Sequence, residues 1–117
     1  MNFPVTQDGN TAVVKTNVDK LNAGNAAELK SELVLLNKKN VNNMIIDMSK
    51  TRYCDSSGLS AILVANRLCK DTNGSFVLCG LQDNVFKMIQ IAQLDRVLSI
   101  VDSEKEALAS IKSWASR

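Results

Sequence analysis

The sequence predicts an α/β fold in one domain: a mostly parallel central β-sheet, opened by an N-terminal hairpin strand and packed with about four α-helices. Three observations lead there. The chain has 117 residues, 45% of them hydrophobic, which suffices for one cooperative core and is too short for two ordinary domains, so residues 1–117 are taken as one unit. Short β-rich apolar runs alternate four times with amphipathic segments, the pattern of right-handed βαβ crossovers. A Gly-containing turn near the start joins two such runs directly, which predicts an antiparallel hairpin.

The hairpin pairs the run from Phe3 to Thr6 with Ala12-Val13-Val14-Lys15-Thr16, across Asp8-Gly9-Asn10. A polar loop, Asn17 to Asn22, precedes a helix from about Ala23 to Lys38, in which Ala26, Leu29, Leu33 and Leu36 recur at helical spacing. Lys38 and Lys39 at its end complement the helix dipole. Met44-Ile45-Ile46-Asp47-Met48 reads as a buried parallel strand, and Ser49 to Tyr53 as a turn. The expectation for Asp47 is a hydrogen bond to the nearby loop, with a role in kinase docking as the alternative.

A second helix is expected from about Ser57 to Lys70, with Leu59, Ile62, Leu63 and Cys69 on its inner face, ending in the turn Asp71-Thr72-Asn73-Gly74. Phe76 to Cys79 is the next strand. A shorter helix, Asn84 to Ala92, offers Val85, Met88, Ile89 and Ala92, and Val97 to Val101 is the last strand. Ser103 and Glu106 match a capping box that opens a helix carrying Leu108, Ile111 and Ala115 on one face, with Trp114 as its packing anchor.

Composition excludes several function classes. Lys and Arg number 14 and Asp and Glu 12, interspersed rather than gathered into a basic stripe, so direct nucleic-acid binding is not expected. No apolar run approaches the roughly 20 residues that span a bilayer, and Met1-Asn2-Phe3-Pro4 lacks the features of a signal peptide, which predicts a cytoplasmic protein without membrane insertion. Cys54, Cys69 and Cys79 form no CxxC motif and fit a reducing compartment; Cys69 and Cys79 read as small buried hydrophobes, while Cys54, beside the candidate loop, stays open to a reactive role. The absence of histidine removes imidazole-based nucleophilic triads and His-containing zinc sites. No metal or cofactor is expected.

One segment does not read as scaffold alone. Tyr53-Cys54-Asp55-Ser56-Ser57-Gly58-Leu59 lies between a strand and a helix, where ligands and partners usually meet a parallel sheet. Asp and Ser are also the preferred helix N-caps, and by residue type that plainer reading is the more common. Gly58 reads as a residue that lets backbone pass close to a neighbour.

The segment Asp55-Ser56-Ser57-Gly58-Leu59, following Ile45-Ile46-Asp47-Met48-Ser49 by a short turn, strongly resembles the signature of the STAS domain of bacterial anti-sigma factor antagonists. The resemblance extends over Leu21-Asn22-Ala23 with Asn25 and Ala26, Gly80 after the fourth strand, Leu94 before the last, and Glu106-Ala107-Leu108 in the last helix. It implies that Ser57 is phosphorylated by a cognate anti-sigma factor that is itself a serine kinase, with a PP2C-like phosphatase as the opposing partner. It also implies that the unmodified protein binds the anti-sigma factor and frees the sigma factor. Asp55, Ser56, Ser57, Gly58, Leu59 and Asn22 are the implied partner-binding residues. Val18-Asp19-Lys20-Leu21-Asn22 departs from the commoner family pattern, which carries a Gly-containing stretch there, and so bears on partner identity.

Two other readings stay open at this level. STAS domains also serve as accessory modules of transporter ATPases and anion transporters, where docking is constitutive. An enzyme would need Ser57 or Cys54 as nucleophile and Asp55 or Lys70 as base, although a lone carboxylate activates serine poorly.

Overall fold

A computed structural model describes residues 2–115 of the chain, with side chains through residue 111. The elements in chain order are strands β1 (Val5–Asp8), β2 (Thr11–Lys15) and β3 (Lys20–Leu21), helix α1 (Ala26–Lys38), strands β4 (Asn43–Asp47) and β5 (Tyr53–Cys54), helix α2 (Ser56–Asp71), strand β6 (Phe76–Cys79), helix α3 (Asp83–Ile91), strand β7 (Ser99–Val101) and helix α4 (Glu104–Ala115). The main sheet has the order β1-β2-β4-β6-β7. Among the described residues, only the β1–β2 pair of this sheet is antiparallel. Its turn places Gly9 at φ +62°, a left-handed conformation that costs glycine nothing.

Strand alternation divides the core into two layers. Ala12, Val14, Met44, Ile46, Phe76 and Leu78 join the cluster with α1 and α2, while Val13, Ile45, Val77 and Cys79 meet Ala107 and Ile111 of α4 on the other face. Both faces of β4 and β6 are therefore covered, which is why these strands are continuous apolar runs. The α1 stripe of Ala26, Leu29, Leu33 and Leu36 is buried, each large side chain contributing about 1.5–3 kcal/mol.

Several sequence expectations shift. Helix α1 begins at Ala26 rather than Ala23, because Asn25 first closes a turn: its Oδ1 accepts the Asn22 N–H at 3.0 Å and its Nδ2 donates to the Lys20 carbonyl at 2.9 Å. Leu59, Ile62 and Cys69 are buried as expected, but Leu63 is not on the inner face of α2; it is 37% exposed, and Ala61 and Ala65 are buried instead. Close packing of α2 against α1 favours small side chains there. Ala92 is exposed and caps α3 rather than filling its core face. A 3-10 turn, Leu94–Arg96, precedes the last expected strand and is capped by exposed Val97, so β7 begins at Ser99 rather than at Val97. Ser103 Oγ accepts the Glu106 N–H at 3.2 Å, but Glu106 reaches back to the N–H of Asp102 rather than to that of Ser103. The role expected of Trp114 lies outside the described side chains.

The largest addition is a second, two-stranded sheet, β3–β5, inside segments expected to be a polar loop and a turn. Buried Thr51 ties it down: its hydroxyl lies 3.0 Å from the Thr16 carbonyl, 2.7 Å from the Val18 carbonyl and 2.7 Å from the Thr16 hydroxyl. Asp47 behaves as expected, its Oδ1 accepting the Ser49 N–H at 3.0 Å.

Candidate functional site

The small sheet delivers the Asp55–Leu59 segment to the surface. Leu21 pairs with Cys54, and the Asp55 N–H donates to the Leu21 carbonyl at 3.1 Å, fixing the residue at which β5 becomes α2. Asp55 is the N-cap, with extended backbone (φ −98°, ψ −172°) and its Oδ1 accepting the Gly58 N–H at 3.1 Å. The helix thus starts one residue earlier than the sequence implied, and its cap is the carboxylate. Ser56 and Ser57 occupy the first two helical positions, Ser56 exposed and Ser57 half-buried.

Gly58 is glycine for lack of space. A Cβ on it would lie 2.6 Å from Cys54 Sγ and 2.8 Å from the Leu21 carbonyl oxygen. Gly58 and Leu59, expected among the partner-binding residues, are buried. They support the site from below. Asn22 is half-buried at the start of the α1 turn, its Oδ1 accepting the Gly24 N–H at 2.9 Å.

Asn22 and Asp55 nevertheless share one feature: both line a groove of about 320 Å³ whose other walls include Leu21, Tyr53, Asn84 and Met88. The sequence placed Tyr53 in the candidate segment but not among the partner-binding residues, and it did not point to the two α3 residues. Arg52 and Tyr53 are both exposed between buried Thr51 and Cys54, so no alternating pattern marked Tyr53 in advance. Beside it, Arg52 forms a two-point ion pair with Asp19, Nε to Oδ1 at 2.6 Å and NH2 to Oδ2 at 3.1 Å. The Arg52 hydrogen bond holds the Asp19 carboxyl below its ordinary range.

The geometry also bears on nucleophilic chemistry. Burial pushes the Cys54 thiol up to about 12, with the nearby Asp55 carboxylate adding to the shift, so it is protonated at neutral pH. The Asp55 carboxylate is committed to the Gly58 N–H. Lys70 lies in the last turn of α2, roughly 20 Å from Ser57 at 1.5 Å rise per residue. These positions do not assemble a nucleophile with a base.

Comparison with known proteins places this arrangement in context. The model of the STAS domain matches residues 2–107. An anti-sigma-B factor antagonist of Listeria monocytogenes is 28% identical over 87 residues, covering 74% of this chain and 76% of that one. The fold is shared with TM1081 of Thermotoga maritima (TM-score 0.87, 24% identity, 94% of each chain covered). It is shared too with the anti-sigma factor antagonist SpoIIAA of Bacillus. Its unphosphorylated form gives a TM-score of 0.82 at 18% identity, covering 95% of this chain and 96% of that one. Its phosphorylated form gives 0.73 at 18% identity, covering 93% and 98%.

Proposed function

The chain belongs to the STAS domain family, and on that premise we propose that it is an anti-sigma factor antagonist switched by phosphorylation of Ser57. In this reading the unmodified form binds a cognate anti-sigma factor with serine kinase activity and releases the sigma factor. The kinase adds phosphate to Ser57, which abolishes binding, and a PP2C-like phosphatase removes it. The protein itself is a substrate and a binding partner, and the nucleotide and catalytic base belong to the kinase.

The observation that carries the reading is the division of labour at the start of α2. Asp55 supplies the cap to the Gly58 N–H, so neither serine is needed for it, and the more common explanation for serines at a helix start is already satisfied by another residue. A serine that folding does not require is available for a different role. The presence of SpoIIAA among the structural neighbours in both phosphorylated and unphosphorylated forms supports the same reading by analogy.

The physics of the switch follows from charge. A phosphoserine carries about −1.5 to −2 charges and three strong acceptor oxygens. At the second position of α2 the positive end of the helix dipole favours it, while the Asp55 carboxylate opposes it. On the free protein both effects are screened by water and nearly cancel. In a complex, the same charge would be desolvated against a surface shaped for a hydroxyl beside Asp55, and binding is lost. Phosphopeptide mapping after incubation with ATP and purified anti-sigma serine kinases tests the assignment: label on Ser57 supports it, and label that persists in Ser57→Ala overturns it.

A further inference from the structure

We infer that Tyr53 is the anchoring side chain of the face that receives the anti-sigma factor, and that the partner meets it with an apolar pocket bearing a carboxylate within reach of Lys20. The inference rests on the antagonist reading above and names the chemistry of its partner.

Tyr53 leaves 47% of its surface exposed on the rim of the groove floored by Leu21 and Met88. It is an exposed aromatic held in place. The Lys20 ammonium lies 5.7 Å from its ring centroid and the Arg52 guanidinium 5.8 Å, within the range of cation–π attraction. Arg52 is itself fixed by its two hydrogen bonds to Asp19, and the backbone N–H groups of Arg52 and Tyr53 both donate to the Asp19 carbonyl, at 2.8 and 3.1 Å.

An aromatic already flanked by two cations loses less entropy on docking than a free one, and Tyr is among the residues that most often dominate interface energetics. Its location adds to this, since Tyr53 opens β5 two residues before Asp55 and lines the same groove. A partner seated on Ser57 would cover both.

Charge sets the chemistry of the occupant. Arg52 is neutralised by Asp19, whereas among the described residues Lys20 is in no ion pair. The Tyr53 side of the groove therefore presents an ammonium held in no ion pair next to an aromatic ring, which a carboxylate at the edge of an apolar pocket complements. The departure of Val18–Asn22 from the commoner family pattern falls on this element, since Lys20 is its exposed strand residue.

The test is a titration of the kinase that labels Ser57 against the unphosphorylated protein and its Tyr53→Ala, Lys20→Glu and Val97→Ala variants, with thermal unfolding of each. Tyr53→Ala is expected to weaken binding about thirtyfold, the factor that corresponds to an interface hot spot. Lys20→Glu should weaken it as well, and Val97→Ala, an exposed apolar residue outside the groove, should bind as wild type. If Tyr53→Ala unfolds early, Lys20→Glu carries the test alone. Wild-type affinity in folded Tyr53→Ala or in Lys20→Glu, with Ser57 phosphorylation still abolishing binding, overturns the inference and leaves the antagonist reading intact. If the unmodified wild type binds no kinase, the antagonist reading falls and the inference falls with it.

Discussion

The Asp55 carboxylate and the Gly58 N–H, 3.1 Å apart, join the end of β5 to the first turn of α2. That single hydrogen bond relieves both intervening serines of any capping duty. Replacing Asp55 with Ala should lower stability by about 1 kcal/mol, the usual value of an N-cap, while Asp55→Asn keeps most of it. Urea unfolding of the two variants checks this. An equal loss in both would mean that the charge, not the hydrogen bond, holds the helix start.

Gly58 should be intolerant of even one methyl group. The added Cβ would stand 2.6 Å from Cys54 Sγ and 2.8 Å from the Leu21 carbonyl, and backbone cannot yield as a flexible side chain does. Gly58→Ala is expected to destabilise by about 1–3 kcal/mol, as overpacking does. Combining it with Cys54→Ala should recover only part, since the Leu21 contact remains. Full recovery in the double variant would contradict this.

The cysteines give a dependence on pH. Burial raises all three thiols to about 12 from the ordinary 9.0. Below about pH 9 both states hold these protons, so the contribution is fully present; above it the unfolded thiols ionise while the native ones do not, and stability falls as pH rises toward 12. Replacing Cys69 with Ala should flatten that decline. At neutral pH, thiol reagents should label the native protein slowly and the urea-unfolded protein fast; rapid native labelling of Cys54 would contradict the burial argument.

Much of this was legible in the sequence because buried parallel strands betray themselves as short apolar runs. Met44–Met48 and Phe76–Cys79 lie close to β4 and β6 for that reason. The small sheet was not legible. β3 and β5 have two residues each and are held by Thr51 and by the Asp19 carbonyl, contacts between residues more than 30 positions apart that leave no local period. Leu63 misled because helical spacing alone does not say whether a larger or a smaller neighbour takes the crowded face, and proximity to α1 decided for Ala61 and Ala65. The Asp55–Leu59 segment was recognisable as a motif, but only the geometry separates the exposed Asp55 and Ser56 and the half-buried Ser57 from Gly58 and Leu59 beneath them.

Two substitutions at Ser57 should part company. Ser57→Ala is expected to bind the anti-sigma factor like the unmodified protein, whereas Ser57→Asp binds weakly, one charge being an incomplete stand-in for phosphate. Neither should disturb the fold, since Leu59 and Ile62 keep the helix seated from below. Amide chemical shifts of the variants should change near the start of α2 and nowhere in the sheet. Shifts throughout the sheet would replace the local-charge mechanism with a conformational one.

The central claim is that one phosphate on Ser57 controls partner binding through surface charge. Calorimetric titration of the purified anti-sigma serine kinase against homogeneous unmodified and Ser57-phosphorylated protein measures it directly. The account predicts a loss of affinity of about 30-fold to 4,000-fold on phosphorylation, the range for an uncompensated buried charge at an interface, with an unchanged unfolding temperature of the free protein. Equal affinity of the two forms would contradict it.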